Sequence, residues 1–539
     1  MKKHFYHLSF LLGLGLFSFS ASAQMGPNPP KNWQNQSIEK DSVYGTGSDE
    51  ALEFLKGRKS TTVIVAVIDG GVYTKHPALA GQIWVNQKEV AGNKKDDDKN
   101  GYIDDVNGWD FIGGKDSDIN HENLEVTRLY RDYSKKYANV TSDAKLSKSD
   151  KKEYAQWLKV KADYETNHAM FQKQYDGLKN FVDSVGLLKG VMGKSDITQD
   201  DLNKYVPTDT GFAKVKRRLN RNFARFSAFM PGMTSDSLIK LVLNRGLDQL
   251  GGFVKYNYNL NFNPRYLVGD DYTNAKEHNY GNNDVIGPTD VHGTHVSGII
   301  AGIRNGSHGQ EGEADNVKIL VVRVVPDGDE RDKDVANGIR YAVDNGAKVI
   351  NMSFGKPYSY NKKVVDDAVK YAEKHDVLLV HAAGNDAKDT DPDSASNFPT
   401  RRFENSTKDA SNWLEVGASD VHGKPGSFSN YGKISVDLFA PGVKVYSSVP
   451  DTGYAYFNGT SMASPSAAGV ACIIREYFPK LSAKEVREIL MQSVTPITAK
   501  VPMPGHPDRM VSYTDLCITG GTINAYKAVQ LAIKKTGGK

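Results

Sequence analysis

The chain has 539 residues, with 68 basic and 64 acidic side chains and a formal net charge of +4. This length suits either several domains or one α/β domain with an insertion. The nearly balanced charge gives no reason to expect nucleic-acid binding, and two cysteines exclude a disulfide scaffold. A bridge between Cys472 and Cys517 stays open, because the sequence does not give their separation.

The first residues are typical of a secretory signal peptide. Lys2 and Lys3 precede an apolar run that begins at Leu8, and Ala21-Ser22-Ala23 follows as a small-x-small cleavage site. The apolar run is too short for a confident membrane span, and no stop-transfer pattern follows it. We therefore expect cleavage after residue 23, export to the periplasm or the extracellular space, and no membrane span.

The first strong strand signal is the continuous apolar run from Thr62 to Ile68, rich in β-branched residues. Such a run predicts a strand that is buried on both faces of a parallel sheet. It ends in Asp69, which two glycines follow. Open α/β sheets place their working groups at this end of a strand, so Asp69 is a candidate functional residue; a turn or capping role is the alternative.

An acidic loop follows this strand. Asp96, Asp98 and Asn100 stand at alternate positions before a glycine, as in the first half of an EF-hand-type calcium loop. The final glutamate is absent, and Asp105 could replace it. We expect a structural calcium ion on a ligand set that also includes Tyr102. The alternative is a solvated acidic turn.

A long stretch then precedes the next candidate residue. Within it, large side chains recur at steps of three, four and seven and form a heptad-like stripe on one long helix, and Ser147 and Asp150 stand at capping-box spacing ahead of it. The stripe comprises Trp157, Tyr164, His168, Phe171, Tyr175, Leu178, Val182 and Val185. A stripe of this kind must be buried, so a helical subdomain is predicted here. A basic cluster from Lys214 to Arg225 is expected to be a solvated helix face.

Further along, His292 opens a glycine-rich apolar helix that also carries His295. No third ligand accompanies the two histidines at a zinc-site spacing. From Lys318 onward, apolar strands alternate with amphipathic helices. This alternation predicts an α/β fold with a doubly wound, mostly parallel sheet and helices on both faces.

The last two candidates follow in the same half of the chain. Asn385 stands just beyond a predicted strand, and Ser461 lies in a glycine-led turn that runs into a small-residue helix. The start of a helix offers unpaired N–H groups and a positive dipole end, which would stabilise an oxyanion beside Ser461. Pro465 fits the first turn, where no intrahelical bond is lost. Close helix–sheet packing is the alternative reading of the small residues.

Taken together, these segments resemble the subtilisin-like serine proteases, the subtilase family, with the order Asp, His, Ser along the chain. The resemblance covers most of residues 60 to 115 and 280 to 535. It implies that Asp69 is the triad aspartate, His292 the general base, Ser461 the nucleophile and Asn385 the oxyanion asparagine. The order disfavours the α/β-hydrolases, and the asparagine argues against the sedolisin-type relatives. The acidic loop likewise resembles calcium loops of many subtilases.

The resemblance also implies a substrate cleft and a domain arrangement. The S1 pocket of this cleft would have walls of Ser353, Phe354 and Gly355 on one side and Ala383 and Gly384 on the other. The extended substrate backbone would lie between two strand segments, which are Ser353-Phe354-Gly355 and the stretch after Val325. The predicted parts are a signal peptide at 1–23, a catalytic domain at 24–115 and 275–539, and a helical insertion at 116–274 that restricts access to the cleft.

The leading hypothesis is an exported serine endopeptidase that acts on proteins or peptides and needs no catalytic cofactor. The acidic stretch from Asp327 to Asp334, with Asp386, would favour basic substrate side chains, and a large apolar P1 residue is the competing choice. Two alternatives are a catalytically silent subtilase that binds a partner protein, and an esterase or amidase with blocked peptide-binding strands.

Overall fold

The structure is a computed structural model that describes residues 28–227, 230–306, 309–392 and 397–537. The predicted signal peptide, residues 1–23, lies outside the described residues. The strands are β1 Val63–Asp69, β2 Gly108–Asp110, β3 Val317–Arg323, β4 Val349–Met352, β5 Leu378–Ala382, β6 Trp413–Ser419, β7 Leu438–Pro441, β8 Val445–Val449, β9 Gly453–Phe457, β10 Thr495–Pro496, β11 Val501–Met503, β12 His506–Val511 and β13 Gly521–Thr522.

The α-helices are α1 Ile38–Asp41, α2 Ser48–Leu55, α3 Glu125–Tyr137, α4 Lys148–Met192, α5 Gln199–Lys204, α6 Thr210–Phe226, α7 Ser235–Leu238, α8 Asn244–Gly252, α9 Asp290–Ala301, α10 Asp332–Asp344, α11 Lys362–Lys374, α12 Thr460–Tyr477, α13 Ala483–Gln492 and α14 Ala525–Lys535. Short π-helical segments are Ile239–Leu243 and Phe253–Asn257. No described helix combines the length and the apolar composition needed to cross a membrane.

The main sheet has nine strands in the order β10-β13-β7-β6-β5-β4-β1-β3-β2. Neighbouring strands are parallel except for β10 and β13. From β1, the chain builds outward in one direction through β3 and then in the other through β4, β5, β6 and β7. The predicted doubly wound, mostly parallel sheet is thereby confirmed.

Strand β1 is apolar throughout because both of its faces are covered. Val65 and Val67 pack in one core with α9 and α12, whereas Ala66 and Ile68 pack in a second core with α10 and α11. This double burial explains the unbroken apolar run in the sequence. The described cysteines, both of which are buried, form no disulfide.

Several chain segments reach the same edge of the sheet. Strands β1, β4 and β5 end there at Asp69, Met352 and Ala382, because parallel strands present their carboxyl ends together. Helix α12 packs along β4, β5, β6 and β7 and begins at Thr460. Its sequence is rich in small buried residues, which let the helix approach the sheet closely. The edge therefore collects the candidate residues of four segments.

The chain divides into two compact units, of which residues 126–262 form the helical one. In that unit α4 spans 45 residues, and Ser147 Oγ accepts a hydrogen bond from the Asp150 N–H at its start. The stripe residues Trp157, Tyr164, Phe171, Leu178 and Val185 are buried. The Phe171 ring stacks on Phe253 with centroids 4.2 Å apart. Restriction of the cleft by this unit stays a prediction.

Candidate active site

Asp69 and His292 form the most direct polar contact at this sheet edge. Asp69 is the last residue of β1, and His292 lies in the first turn of α9. The histidine Nδ1 is 2.9 Å from Asp69 Oδ1 and 3.0 Å from Oδ2. An ionised carboxylate can only accept, so this contact places the ring proton on Nδ1. The other ring nitrogen, Nε2, is then the basic one.

Glycines on both sides allow this contact. A Cβ atom on Gly293 would lie 2.1 Å from the carbonyl oxygen of Gly71, so a side chain there would push α9 away from β1. Gly71 itself has a φ of 116°, in the region that L-residues other than glycine rarely adopt. The glycines that flank Asp69 and His292 in the sequence therefore have a structural role.

The two histidines of α9 have different environments. Burial acts to lower the pKa of His292, but the charge of Asp69 and its hydrogen bond outweigh this effect and raise the pKa above its ordinary value. The His292 side chain is 40% exposed. His295 is buried, and burial lowers its pKa to about 3. Its ring stacks on Phe457, and its Nε2 is 3.0 Å from the Ala455 carbonyl oxygen. This geometry gives His295 a packing role and leaves His292 as the candidate base.

Ser461 is the second residue of α12. Its Oγ donates to the carbonyl oxygen of Ser353 at 3.1 Å, and the Ser353 hydroxyl donates back to the Ser461 carbonyl at 3.0 Å. Among the described residues, no hydrogen bond joins Ser461 Oγ to His292. Rotation about the Cα–Cβ bond of Ser461 would turn its hydroxyl away from the Ser353 carbonyl oxygen. This rotation would break only the hydrogen bond that the hydroxyl donates.

Asn385 is oriented by the residue that precedes Ser461. The N–H and the hydroxyl of Thr460 donate to Asn385 Oδ1 at 2.9 and 3.0 Å. The amide nitrogen of Asn385 therefore points away from Thr460, and a Cβ on Gly459 would lie 3.6 Å from that nitrogen and 3.7 Å from Ser461 Cβ. Thr460 was not among the predicted residues, although its position beside the serine could have suggested it.

The two expected walls of the cleft follow β4 and β5. Between them lies Asn397, whose Nδ2 donates to the Ala382 carbonyl at 3.0 Å. A Cβ on Gly355 would lie 2.4 Å from Asn397 Oδ1, and one on Gly384 would lie 3.3 Å from Asn397 Cγ. A polar side chain thus adjoins both apolar walls. Sequence reasoning missed Asn397, which stands in an irregular loop without a recognisable pattern.

Part of the acidic stretch after β3 is paired with cations. Asp334 binds Arg265 at 2.6 Å, and Asp332 lies 2.8 Å from Lys356 Nζ. Burial raises the pKa of Glu330, which disfavours the charged form of that side chain. The sequence revealed the carboxylates but not their cations. Asp332 and Asp334 therefore do not support a preference for basic substrates, which stays a prediction.

The acidic loop brings two of the predicted calcium ligands, Asp96 and Asp98, together with Glu89. Carboxylate oxygens of Asp96, Asp98 and Glu89 lie within 4.8 Å of one another. Glu89 Oε1 accepts from the N–H groups of Asp97 and Asp98 at 2.9 and 3.1 Å, whereas its buried Oε2 has no hydrogen-bond partner among the described residues. Carboxylate oxygens are ligands that calcium prefers, and the buried Glu89 Oε2 lacks a hydrogen-bond partner among the described residues, so the three side chains fit a calcium ion. Glu89 precedes the loop and was missed.

The remaining predicted ligands have protein partners. Asn100 Nδ2 donates to Asp105 Oδ2 at 3.0 Å, and the hydroxyl of Tyr341 donates to the same oxygen at 2.6 Å. The N–H of Tyr102 donates to Asn100 Oδ1 at 2.8 Å. These contacts fix the loop on the sheet domain.

Comparison with known proteins assigns this site to a family. The model of the Subtilase family matches residues 160–514, more than half of the chain. The chain belongs to the subtilase family. The matched span contains His292, Asn385 and Ser461 and starts after Asp69, so Asp69 is placed by its contact with His292.

Similar subtilases include three named bacterial enzymes. The thermophilic serine proteinase of Bacillus sp. (strain AK1) is 35% identical over 272 residues, which are 49% of this chain and 60% of that protein. Thermitase of Thermoactinomyces vulgaris is 36% identical over 44% of this chain and 75% of its own length. Subtilisin BL of Lederbergia lenta is 36% identical over 38% of this chain and 70% of its own length. The predicted family is confirmed. The chain covers less than two thirds of the Bacillus relative.

Proposed function

We propose that this subtilase is an exported serine endopeptidase that hydrolyses peptide bonds in protein or peptide substrates. The observation that carries the proposal is the hydrogen bond between Asp69 and His292 at the sheet edge where Ser461 and Asn385 also lie. A serine hydroxyl is a weak nucleophile at neutral pH and needs a nearby base with a pKa close to the working pH. A histidine with one nitrogen held by a carboxylate meets this need.

In the proposed reaction, His292 Nε2 removes the Ser461 proton as Oγ attacks the scissile carbonyl carbon. Asp69 keeps the proton of His292 on Nδ1 and stabilises the imidazolium that forms. The imidazolium then gives its proton to the leaving amine, which leaves an acyl group on Ser461. A water molecule, activated by the same histidine, releases the acid product and restores the hydroxyl.

The oxyanion would be stabilised by two donors. These are the Asn385 side-chain amide, which Thr460 orients, and the Ser461 backbone N–H at the start of α12. Both donors are in place before the charge develops, so little reorganisation accompanies the reaction. The positive end of the α12 dipole adds to this effect.

The test is cleavage of a mixed peptide library by the purified mature chain and by its Ser461→Ala variant. Wild-type protein should cleave internal bonds, and the folded variant should cleave none. Equal cleavage by both would refute the assignment of the nucleophile. Cleavage of small esters without any cleavage of peptides would favour an esterase.

We also propose export through the signal peptide at residues 1–23. The support is the basic and apolar pattern of this segment and the cleavage site before Gln24. Amino-terminal sequencing of the protein produced in a bacterial host with a secretion system should find Gln24 first in the exported fraction. Recovery of only the intact chain inside the cells would contradict this proposal.

For the acidic loop we propose a structural calcium ion. Glu89, Asp96 and Asp98 would hold it with the other predicted ligands, and the ion would stabilise the loop without a part in the chemistry. Addition of calcium to chelator-treated protein should raise Tm, and Glu89→Gln should weaken this response. An unchanged Tm at millimolar calcium would contradict the proposal. Lys88→Gln, next to Glu89 but outside the oxygen cluster, is the control.

A further inference from the structure

A buried lysine lies directly after one wall of the expected substrate cleft. The Lys356 side chain is 1% exposed and follows Gly355 in the sequence. Its Nζ donates to Glu125 Oε2 at 2.7 Å and to the Glu330 carbonyl oxygen at 2.7 Å, and it lies 2.8 Å from Asp332 Oδ1. One ammonium group therefore meets oxygens from two other chain segments.

The partners of Lys356 include residues of a segment that is expected to line the cleft. Glu330 and Asp332 belong to the stretch after β3, the second segment expected to line the substrate backbone. Glu125 is the first residue of α3. The backbone of Lys356 also pairs with Phe398 in both directions, at 2.8 and 3.0 Å, and so holds the segment that carries Asn397. Lys356 thus connects the two segments that are expected to flank the substrate backbone.

Carboxylates from two chain segments, those of Glu125 and Asp332, surround the Lys356 ammonium. Burial raises the pKa of the nearby Glu330 and so disfavours its charged form. Asp332 also accepts hydrogen bonds from the Ser359 hydroxyl at 2.7 Å and the Asn361 N–H at 2.6 Å. The neighbouring Arg331 binds Glu122 at 2.8 Å. Loss of the ammonium would leave these buried carboxylates without its positive charge, and the removal of one partner from a buried ion pair is strongly destabilising.

We propose that Lys356 is a positioning residue that sets the spacing of the two substrate-binding segments. The proposal rests on the proposed peptidase function. An extended peptide between two strand-like segments needs them about 9–10 Å apart, twice the usual strand spacing. A shift of about 1 Å can lower a rate on the order of 100-fold when it misplaces the substrate. A small ester that only acylates Ser461 does not need these segments.

The test compares two substrates in Lys356→Met. One is an acetylated hexapeptide p-nitroanilide chosen from the wild-type cleavage profile, and the other is p-nitrophenyl acetate. Active sites are counted by fluorophosphonate titration, so that a loss of folded protein does not alter the result. For the peptide, kcat/KM should fall at least about tenfold relative to the ester, with a rise in KM, because positioning is lost while the serine chemistry stays.

The matched control is Arg475→Met. Arg475 is also a buried cation, which binds Asp376 at 2.9 Å near the far end of α12, about 20 Å from Ser461 along the helix. Its loss should lower Tm and leave the peptide-to-ester ratio unchanged. An unchanged ratio in Lys356→Met, or an equal change in both variants, would overturn the proposal.

A second variant covers the case in which Lys356→Met does not fold. Glu125→Gln keeps an acceptor for Lys356 and removes one charge, so the ratio should fall about threefold; an unchanged ratio would overturn the proposal. The peptidase assignment fails separately, if the wild-type protein hydrolyses the ester and no peptide.

Discussion

Two regions of buried carboxylates differ in the cations that face them. At the end of β1, Asp69 faces His292, whereas after β3 the residues Asp332 and Asp334 face Lys356 and Arg265. Histidine changes its charge near neutral pH, but lysine and arginine keep theirs. The first pairing can take part in moving a proton, and the second can only hold chain segments together. An aspartate can therefore assist proton transfer or hold chain segments together, depending on the cation that it faces.

Asp69→Asn breaks the first pairing and should have the largest effect. We expect kcat/KM to fall on the order of 10⁴-fold, because the histidine loses its orientation and its tautomer is no longer fixed. Asp69 raises the pKa of His292, and the base must be neutral to act. Activity of the wild-type protein is therefore lost as pH falls through this raised pKa, and the variant should lose it at lower pH.

The measurement is kcat/KM on a peptide substrate from pH 5 to pH 9. Wild-type protein in the same buffers is the reference. An acidic limb at the same pH in both proteins would show that Asp69 does not set the pKa of His292.

Asp334→Asn breaks only the contact with Arg265, in which Lys356 takes no part, and should affect stability rather than activity. Asp334 contacts Arg265 through both oxygens and accepts the Tyr280 hydroxyl at 2.7 Å. Removal of one partner from a buried ion pair typically costs about 3–5 kcal/mol of unfolding free energy. Urea unfolding should show this loss, and kcat/KM per titrated active site should stay near the wild-type value. A loss of activity per site with normal stability would contradict the division between the two regions.

Asn385→Ala tests the proposed oxyanion donor of the first region. The Asn385 amide is proposed to bind the oxyanion of the transition state, so its loss should lower kcat by about 10²–10³ with little change in KM. This range derives from subtilisin, a relative of this chain. Steady-state kinetics on one peptide would test it, with the wild-type protein as the reference. A large rise in KM at constant kcat would indicate ground-state binding.

Glu313→Gln concerns a carboxyl group that has no strong cation. Glu313 accepts the Thr46 hydroxyl at 2.6 Å, and burial raises its pKa to about 8 from 4.5. Between these values the folded protein holds one proton more than the unfolded chain, so this group lowers stability by about 1 kcal/mol per pH unit as pH rises. The variant should lack this slope in urea unfolding at pH 5, 6, 7 and 8. Parallel pH profiles of stability for both proteins would contradict the raised pKa.

The sequence predicted what depends on local pattern. An unbroken apolar run located β1 and thus Asp69, and helix starts located His292 and Ser461. Thr460, Asn397, Glu89 and Lys356 were not predicted, because their roles depend on contacts between segments that are far apart in the chain. The acidic stretch after β3 shows the same limit. Its charges are visible in the sequence, but Arg265 and Lys356, which pair with Asp334 and Asp332, are not adjacent to it.

The most direct test of the proposed nucleophile is the site of labelling by a fluorophosphonate probe. After labelling of the mature protein, tandem mass spectrometry of its digest should place a single adduct on Ser461, and the folded Ser461→Ala variant should stay unlabelled under the same conditions. An adduct on a different serine, or labelling of the variant at the wild-type rate, would contradict the assignment.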